Sequence, residues 1–508
     1  MAKTDALVGI DIGQTRTKAV VFGLDGRQLG IAIDSTEADH PRPLWAEREL
    51  DDMWQKVALV VRAALEQAGT GVEILGVGVS GHSDGLYVVD AGGRSVRPAI
   101  LATDARAAGQ AATLAAGERG SRLLELTGQV PMAASPSALL RWLRDHEPEV
   151  LQCSRWLLSS TDWVRLMLTG TVATDLTMAA AGFVALRTRT WSVEALELCD
   201  LSDLLTRLPP VSDSHAVAGR VTSEAAGATG LRPETPVVTG AHDVDTGALG
   251  MGSTSSSATV LLGTYAINQV LGAVPIPDPR WQVRPFLTAD RWLHMSTSPV
   301  GAGCLDWAAG RIGPRATGGA ADLATVVGEA ETVASTMAEP YFLPFVHGGP
   351  PGTPVGGSWI GLRGEHGRAS MLRAVMEGVA FSHRRHLEAL RARMTVPSPI
   401  RLGGGGARSH AWSQLLCDTV GLTLEVTEAE EVSALGAALL AGIGVGAYRD
   451  VEQAVAATVR VAREHHPDAA RRDLVDARYD RYSQASDMLG RLDLGPFDDP
   501  GVVTDPSS

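Results

Sequence analysis

ALVGIDIGQTRTKAVVFG, residues 6–23, is the stretch on which the reading of the fold turns. An apolar run leads to Asp11, small and hydroxyl-bearing residues occupy 13–17, and a second apolar run follows. That pattern predicts strand, tight turn, strand. Asp25-Gly26 then predicts a second turn, and RQLGIAID (27–34) a third strand. A turn of this composition offers backbone N–H groups and hydroxyls to phosphate oxygens without side-chain bulk. In Asp11-Ile12-Gly13-Gln14-Thr15-Arg16-Thr17-Lys18, Asp11 stands where it can hold a metal through water. Thr15 and Thr17 are placed to meet phosphate oxygens and Lys18 to neutralise charge. Read alone, the segment is equally a plain hairpin turn.

Working outward, a helix is expected over 49–68, a buried strand over 74–81, and a second hairpin in LYVVD-AGG-RSVRP, 86–98. The stretch 121–235 is more helical. PVVTGAHD (236–243) is a short apolar strand ending in polar residues, and ATVLLGTYAINQVLG (258–272) repeats the opening strand-turn-strand type. A long helix over 368–394, a strand IRLGGGG (400–406), a helix over 409–420, a strand LTLEVTE (422–428) and a helix over 433–444 follow. Sheet and helix alternate, so the fold class is α/β, and the recurring hairpin predicts two lobes on one plan.

Composition narrows the function. At 508 residues and 45% hydrophobic content the chain supports more than one substantial core. Its net charge of −14, without a dense Lys/Arg patch, argues against a nucleic-acid partner. The four cysteines are scattered singly, which suggests neither a disulfide framework nor a cysteine zinc site. No apolar run approaches the roughly 18 residues that cross a bilayer, and MAKTDALVGIDIG lacks a signal-peptide core, so a cytoplasmic protein is expected.

Three further segments carry chemistry. Leu262-Gly263-Thr264-Tyr265 is a second phosphate-type turn. Leu402-Gly403-Gly404-Gly405-Gly406-Ala407-Arg408-Ser409 runs from a strand through glycines into a helix that Ser409 caps, letting backbone lie against a base or ribose; a flexible loop is the plain alternative. Gly240-Ala241-His242-Asp243-Val244-Asp245 ends a buried strand with a carboxylate able to take the proton of a hydroxyl attacking phosphorus. Asp243 is the candidate, Asp245 its rival, and helix capping by Asp243 the plain alternative.

In this order the four segments resemble the carbohydrate kinases of the FGGY family, over about residues 7–450. Gly357-Ser358-Trp359-Ile360-Gly361-Leu362, continuing through Ala374-Val375-Met376-Glu377, is similar to the family's second signature, with Ser370 where a polar or acidic residue is usual. The resemblance implies two ribonuclease-H-like lobes of the actin and hexokinase type with an interlobe active-site cleft. It implies an N-terminal sugar-binding lobe over 1–248 and a C-terminal ATP-binding lobe over 249–494, while the tail over 495–508 has nothing to bury and is expected to be disordered. ATP and Mg2+ are then expected. Asp11, Gly13, Gln14, Thr15 and Lys18 would form the first phosphate motif, Gly263 and Thr264 the second, and Gly405, Gly406 and Ser409 the adenosine motif. Asp243 matches the catalytic aspartate, and Asp11 and Asp243 would hold the metal.

On the sugar side, Ser80-Gly81-His82-Ser83-Asp84-Gly85 stands where xylulose kinases carry Ser-Gly-Gln-Met-His-Gly, which makes His82, Ser83 and Asp84 substrate candidates beside Asp243. Asp104 and Arg106 match the family's W-x-D-x-R segment, with Leu101 or Ala102 at the tryptophan position; a surface ion pair is the alternative. The runs Ser137–Glu149 and Phe381-Ser382-His383 look most like L-xylulose kinases, whereas Ser83-Asp84-Gly85 is similar to erythritol kinases. The acceptor is thus expected to be a small sugar, ketose or polyol, with xylulose or L-xylulose the first choice and erythritol, glycerol or a hexulose the second. An actin-like ATP-binding protein without a sugar acceptor is the reading from another class. Neither nucleic acid nor membrane is an expected partner, and a homodimer is allowed for.

Overall fold

Residues 3–312, 323–346 and 356–491 are described by the computed structural model, and the expected tail over 495–508 lies outside them. The chain divides into two units. The first takes residues 1–257, 270–295 and 428–460, and the second takes 258–269, 296–427 and 461–508.

The first unit opens with β1 (Thr4–Ile12), β2 (Arg16–Gly23), β3 (Gln28–Ser35), α1 (Leu50–Ala68) and β4 (Val72–Gly81). Later come β5 (Val217–Arg220), β6 (Pro236–Val238), β7 (Ala241–His242), α2 (Asp243–Gly250) and α3 (Val432–Gly444). Its sheet is ordered β5-β6-β4-β1-β2-β3, with β7 also on β4. β1 and β2 are antiparallel with Asp11 opposite Lys18, and β1 and β4 are parallel with Asp11 opposite Ser80. The opening hairpin, third strand and first helix therefore form as expected. The hairpin over 86–98 forms in part: Asp90 N–H donates to the Arg94 carbonyl, Val89 bridges Ser95 and Val96 N–H donates to the Val88 carbonyl, while Tyr87–Val89 also pairs with Trp156–Leu158. Pro98 has no N–H to offer, and beyond it Leu86 and Ile100 exchange backbone hydrogen bonds at 2.9 and 3.0 Å.

Alternation along β1 explains why its apolar run is unbroken. Ala6, Val8, Ile10 and Ile12 pack with Met53, Val57 and Val61 of α1, whereas Leu7 packs on the other face with Ala434, Ala438 and Ala441 of α3. Each fully buried Val, Leu or Ile of these layers contributes roughly 1.5–3 kcal/mol. The contact of α3 is backbone on backbone: a Cβ at Gly78 would lie 1.9 Å from the Ala437 carbonyl oxygen, and one at Gly436 would lie 1.9 Å from that of Thr246. Small residues at these points bring the start of α3 to the ends of β1 and β4, where Asp11 and Ser80 stand. A second core, including Leu139, Leu143, Phe183 and Leu196, holds the helical region of this unit.

In the second unit, the strands Ala258–Leu262, Ile400–Gly403 and Leu424–Thr427 are parallel neighbours, and Val461–His465 closes the edge antiparallel to the last. The helices Arg368–Arg391, His410–Val420 and Arg472–Leu489 accompany them. The chain passes from unit to unit within the strands Ala266–Gly272 and Trp292–Ser298. Among the described residues no helix is long and apolar enough to cross a membrane.

Candidate active site

The first unit gathers carboxylates at the C-terminal ends of β1, β4 and β7, the edge where ligands settle on open α/β sheets. Asp11 ends β1, Asp84 follows β4, and Asp243 begins α2 directly after β7. Asp243 does not cap that helix; His242 occupies the cap position, and the Asp243 carboxylate accepts from the Val244 N–H. Its side chain is 31% exposed and that of Asp84 21%, whereas the side chain of Asp245 is wholly buried. Asp245 is therefore closed to an incoming hydroxyl and Asp243 is open.

Asp243 is one of several carboxyls here whose proton affinity is raised. Burial pushes the Asp243 carboxyl up to about 7, the charges of Asp11 and Asp84 adding to the rise while the Val244 N–H and Arg284 oppose it. Burial also lifts Asp11 to about 6, against Lys18 and a hydrogen bond from Ser80 and with Glu431 adding to it. Oδ1 of Asp11 has no hydrogen-bond partner among the described residues. Lys18 is paired with Glu431 at the start of α3. Gly13 N–H donates to the Arg16 carbonyl at 2.9 Å to close the turn, and Arg48 donates to the Gln14 carbonyl at 2.8 Å. Of the two threonines, Thr15 is exposed and Thr17 is fully buried, so only Thr15 is open at the turn.

Beneath the open carboxylates lies a buried polar layer. His82 places Nδ1 3.2 Å from the Ile12 carbonyl oxygen and Nε2 3.0 Å from the Tyr87 hydroxyl, and burial lowers its pKa to about 4. Ser83 accepts a 2.6 Å hydrogen bond from Arg284. The His242 N–H donates to the Thr177 hydroxyl, whose side chain rests on Asp175. Sequence reasoning missed Arg284, Glu431, Asp175 and Ser80. Only Ser80 carried a local signal, as the first residue of the sugar-side run Ser80-Gly81-His82-Ser83-Asp84-Gly85.

Asp104 and Arg106 are joined in a buried network in which Arg106 Nη1 has no hydrogen-bond partner among the described residues. Asp104 accepts from the Ala46 N–H at 2.7 Å and from Arg106 Nε at 2.9 Å, and Arg106 Nη2 lies 2.7 Å from Glu47. The Arg106 guanidinium carbon lies 3.8 Å from the Trp45 ring centre, and both side chains of the pair are fully buried. They are an interior pair, in place of the surface pair that was the alternative reading.

The second unit brings its own candidates together. Gly404 has φ +90°, and a Cβ there would lie 3.0 Å from the Gly263 nitrogen, so the glycine run abuts the Gly263-Thr264 turn. Gly405 and Gly406 continue as a short 3-10 turn, and the Ser409 hydroxyl accepts from the Trp412 N–H to cap the helix His410–Val420 as expected. The Gly263 carbonyl accepts from Ala302 N–H at 2.6 Å.

Comparison with known proteins places the whole chain. Residues 6–250 match the N-terminal domain of the FGGY family of carbohydrate kinases, and residues 222–445 match its C-terminal domain. The L-xylulose/3-keto-L-gulonate kinase of Escherichia coli K12 is 29% identical, over 94% of this chain and 96% of the relative. The xylulose kinase of the same strain is 31% identical, over 91% and 95%. The crystal structure of xylulose kinase from Rhodospirillum rubrum is similar with a TM-score of 0.85 at 28% identity, over 95% of this chain and 99% of that one.

Proposed function

The chain belongs to the FGGY family of carbohydrate kinases, and from that premise we propose that it transfers the γ-phosphoryl group of ATP to a terminal hydroxyl of a pentulose such as xylulose or L-xylulose. The observation that carries the reading is Asp243: an open carboxylate, pushed up to about 7, beside Asp11 and Asp84. A base near neutrality can accept a hydroxyl proton without being permanently protonated or too weakly basic.

In the reaction the acceptor hydroxyl gives its proton to Asp243 while its oxygen bonds to the γ-phosphorus, and the bond to the bridging oxygen breaks so that ADP leaves with the electron pair. Asp84 accepts hydrogen bonds from neighbouring hydroxyls and orients the acceptor. The Gly13–Lys18 turn, Gly263-Thr264 and the run through Gly405, Gly406 and Ser409 serve the nucleotide, their amides meeting phosphate oxygens and ribose. Thr15 and Gln14 belong to the first of these turns.

The residues present fit magnesium. Asp11 has a buried carboxylate oxygen without a hydrogen-bond partner among the described residues, and its charge and that of Asp243 repel each other. Among the described residues no group of three or more His, Cys, Asp or Glu is arranged to hold a metal alone, which suits an ion bound through one or two carboxylates and substrate phosphates. Asp11 and Asp243 would hold it, and when bound it supplies charge neutralisation at the β- and γ-phosphates.

A second acceptor class, a tetritol or other small polyol, is favoured by Asp84, because one carboxylate accepts from two adjacent hydroxyls. A coupled ADP-release assay over pentuloses, polyols and hexuloses tests both. Turnover stimulated best by a pentulose supports the first reading, and turnover stimulated by no sugar or polyol overturns both.

A further inference from the structure

Arg284 sits on the strand Gln282–Pro285 with a side chain only 2% exposed, 201 residues from Ser83 and 42 from His242 along the chain. Its Nη1 donates to the Ser83 hydroxyl at 2.6 Å and lies 3.2 Å from His242 Nδ1. Its Nη2 lies 2.8 Å from Gln282 Oε1, 3.5 Å from Gln129 Oε1 and 3.9 Å from Asp84 Oδ2. Nε has no partner among the described residues.

Other buried arginines of this protein are anchored differently. Arg478 grips Glu377 through Nε and Nη2, at 3.0 and 2.6 Å, and donates to the carbonyls of Glu339 and Pro340. Arg165 donates to the carbonyls of Thr239 and Ala173 and pairs with Asp162. Those are backbone clamps closed by a carboxylate. Arg284 instead spends its fork on side chains next to the two open carboxylates, and among the described residues no carboxylate takes it in a bidentate pair.

Guanidinium only donates, so a hydrogen bond from Arg284 requires His242 Nδ1 to be the accepting nitrogen. The ring proton then resides on Nε2, which lies 3.3 Å from Asp243 Oδ1. Asp245 Oδ2 lies 3.1 Å from the same Nδ1, and a ring proton donated to it is the competing arrangement. His242 Nε2 thus holds Oδ1 of Asp243, a carboxylate that also accepts from the Val244 N–H.

We propose that Arg284 is a positioning residue of the acceptor site: it fixes the His242 tautomer that holds Asp243 and, through Ser83, the loop that carries Asp84, and so sets the hydroxyl pattern accepted. This rests on the kinase reading of Asp243 and Asp84.

The test uses the full chain carrying 15N-labelled histidine, the His242 signals being assigned by their loss in His242→Gln, with wild type, Arg284→Met, Arg284→Lys and Ser83→Ala compared. Wild type is expected to show His242 protonated at Nε2. In Arg284→Met the ring leaves that single tautomer, selectivity between the best acceptor and its epimers falls by about tenfold or more, and KM for ATP stays unchanged. Arg284→Lys restores part of the selectivity, and Ser83→Ala lowers it while keeping the tautomer. A wild-type ring protonated at Nδ1, or a folded Arg284→Met with wild-type tautomer and selectivity, overturns the proposal. Should Arg284→Met not fold, the wild-type tautomer and Ser83→Ala decide. Wild type without acceptor-dependent ADP release sinks the kinase reading and with it the role in selectivity, while the histidine spectra still report on the contact itself.

Discussion

Lys18 donates to Glu431 across 413 residues of sequence, joining the β1–β2 hairpin to the start of α3 beside Asp11. The pair is partly buried, with side-chain exposures of 22% and 11%, so loss of one partner leaves the other poorly solvated. Lys18→Met is expected to lower stability by about 1–3 kcal/mol, and adding Glu431→Gln to restore most of it. Urea unfolding of the two single variants and the double variant measures this. A double variant as unstable as Lys18→Met would remove the pair from any account of the hairpin's position.

Asp243→Asn keeps shape and removes the base. Acceptor-dependent ADP release is expected to fall by on the order of 10²–10⁴-fold, with nucleotide binding by calorimetry retained. Near wild-type turnover in the folded variant would end the assignment.

The raised carboxyl of Asp243 also fixes the direction of two pH effects. Because the ionised form is the base, kcat/KM for the acceptor rises with pH through about 7 and then levels off. More magnesium moves that midpoint down, since a cation favours the charged carboxylate. For stability the sign is opposite. The folded protein holds this proton up to about 7 and the unfolded chain releases it near 3.8, so the group's contribution is present at low pH and is lost as pH rises through that window. Asp243→Asn should therefore raise the unfolding temperature at about pH 8 and leave it nearly unchanged at about pH 4. A variant less stable than wild type at the higher pH would contradict the shift.

Close approach of α3 gives a steric prediction. Gly436→Ala places a Cβ 1.9 Å from the Thr246 carbonyl oxygen and must push α3 from α2. A stability loss of about 1–3 kcal/mol or more is expected, together with a drop in kcat as Asp243 moves. Gly71→Ala, with nothing within 4 Å, serves as the control and should change neither. Equal thermal melts for the two variants would show that the helix yields without cost.

Much of this was legible before any coordinates. The opening hairpin, the strand ends bearing Asp11 and Asp243, and the glycine run capped by Ser409 follow from local alternation, turn chemistry and capping, which need only neighbours a few residues away. The second partner of Tyr87–Val89 was not legible, because Trp156–Leu158 is a remote strand with no signal in the turn itself. Arg284 was not legible either, since an arginine in a short strand reads as an edge residue until the segments around Ser83 and His242 are folded against it.

By itself the sequence determined the order of strands, turns and helices, and which segments end in groups able to meet phosphate, metal or hydroxyl, because those properties reside in adjacent residues. Only the tertiary structure decided that Asp243 is open while Asp245 is buried, and that Asp104 and Arg106 close on each other inside the first unit. It also decided that burial, with the charges of Asp11 and Asp84 adding to it, lifts the proton affinity of Asp243. Exposure and proton affinity are set through space by whatever charge and apolar surface the fold brings near, and distance along the chain does not encode that.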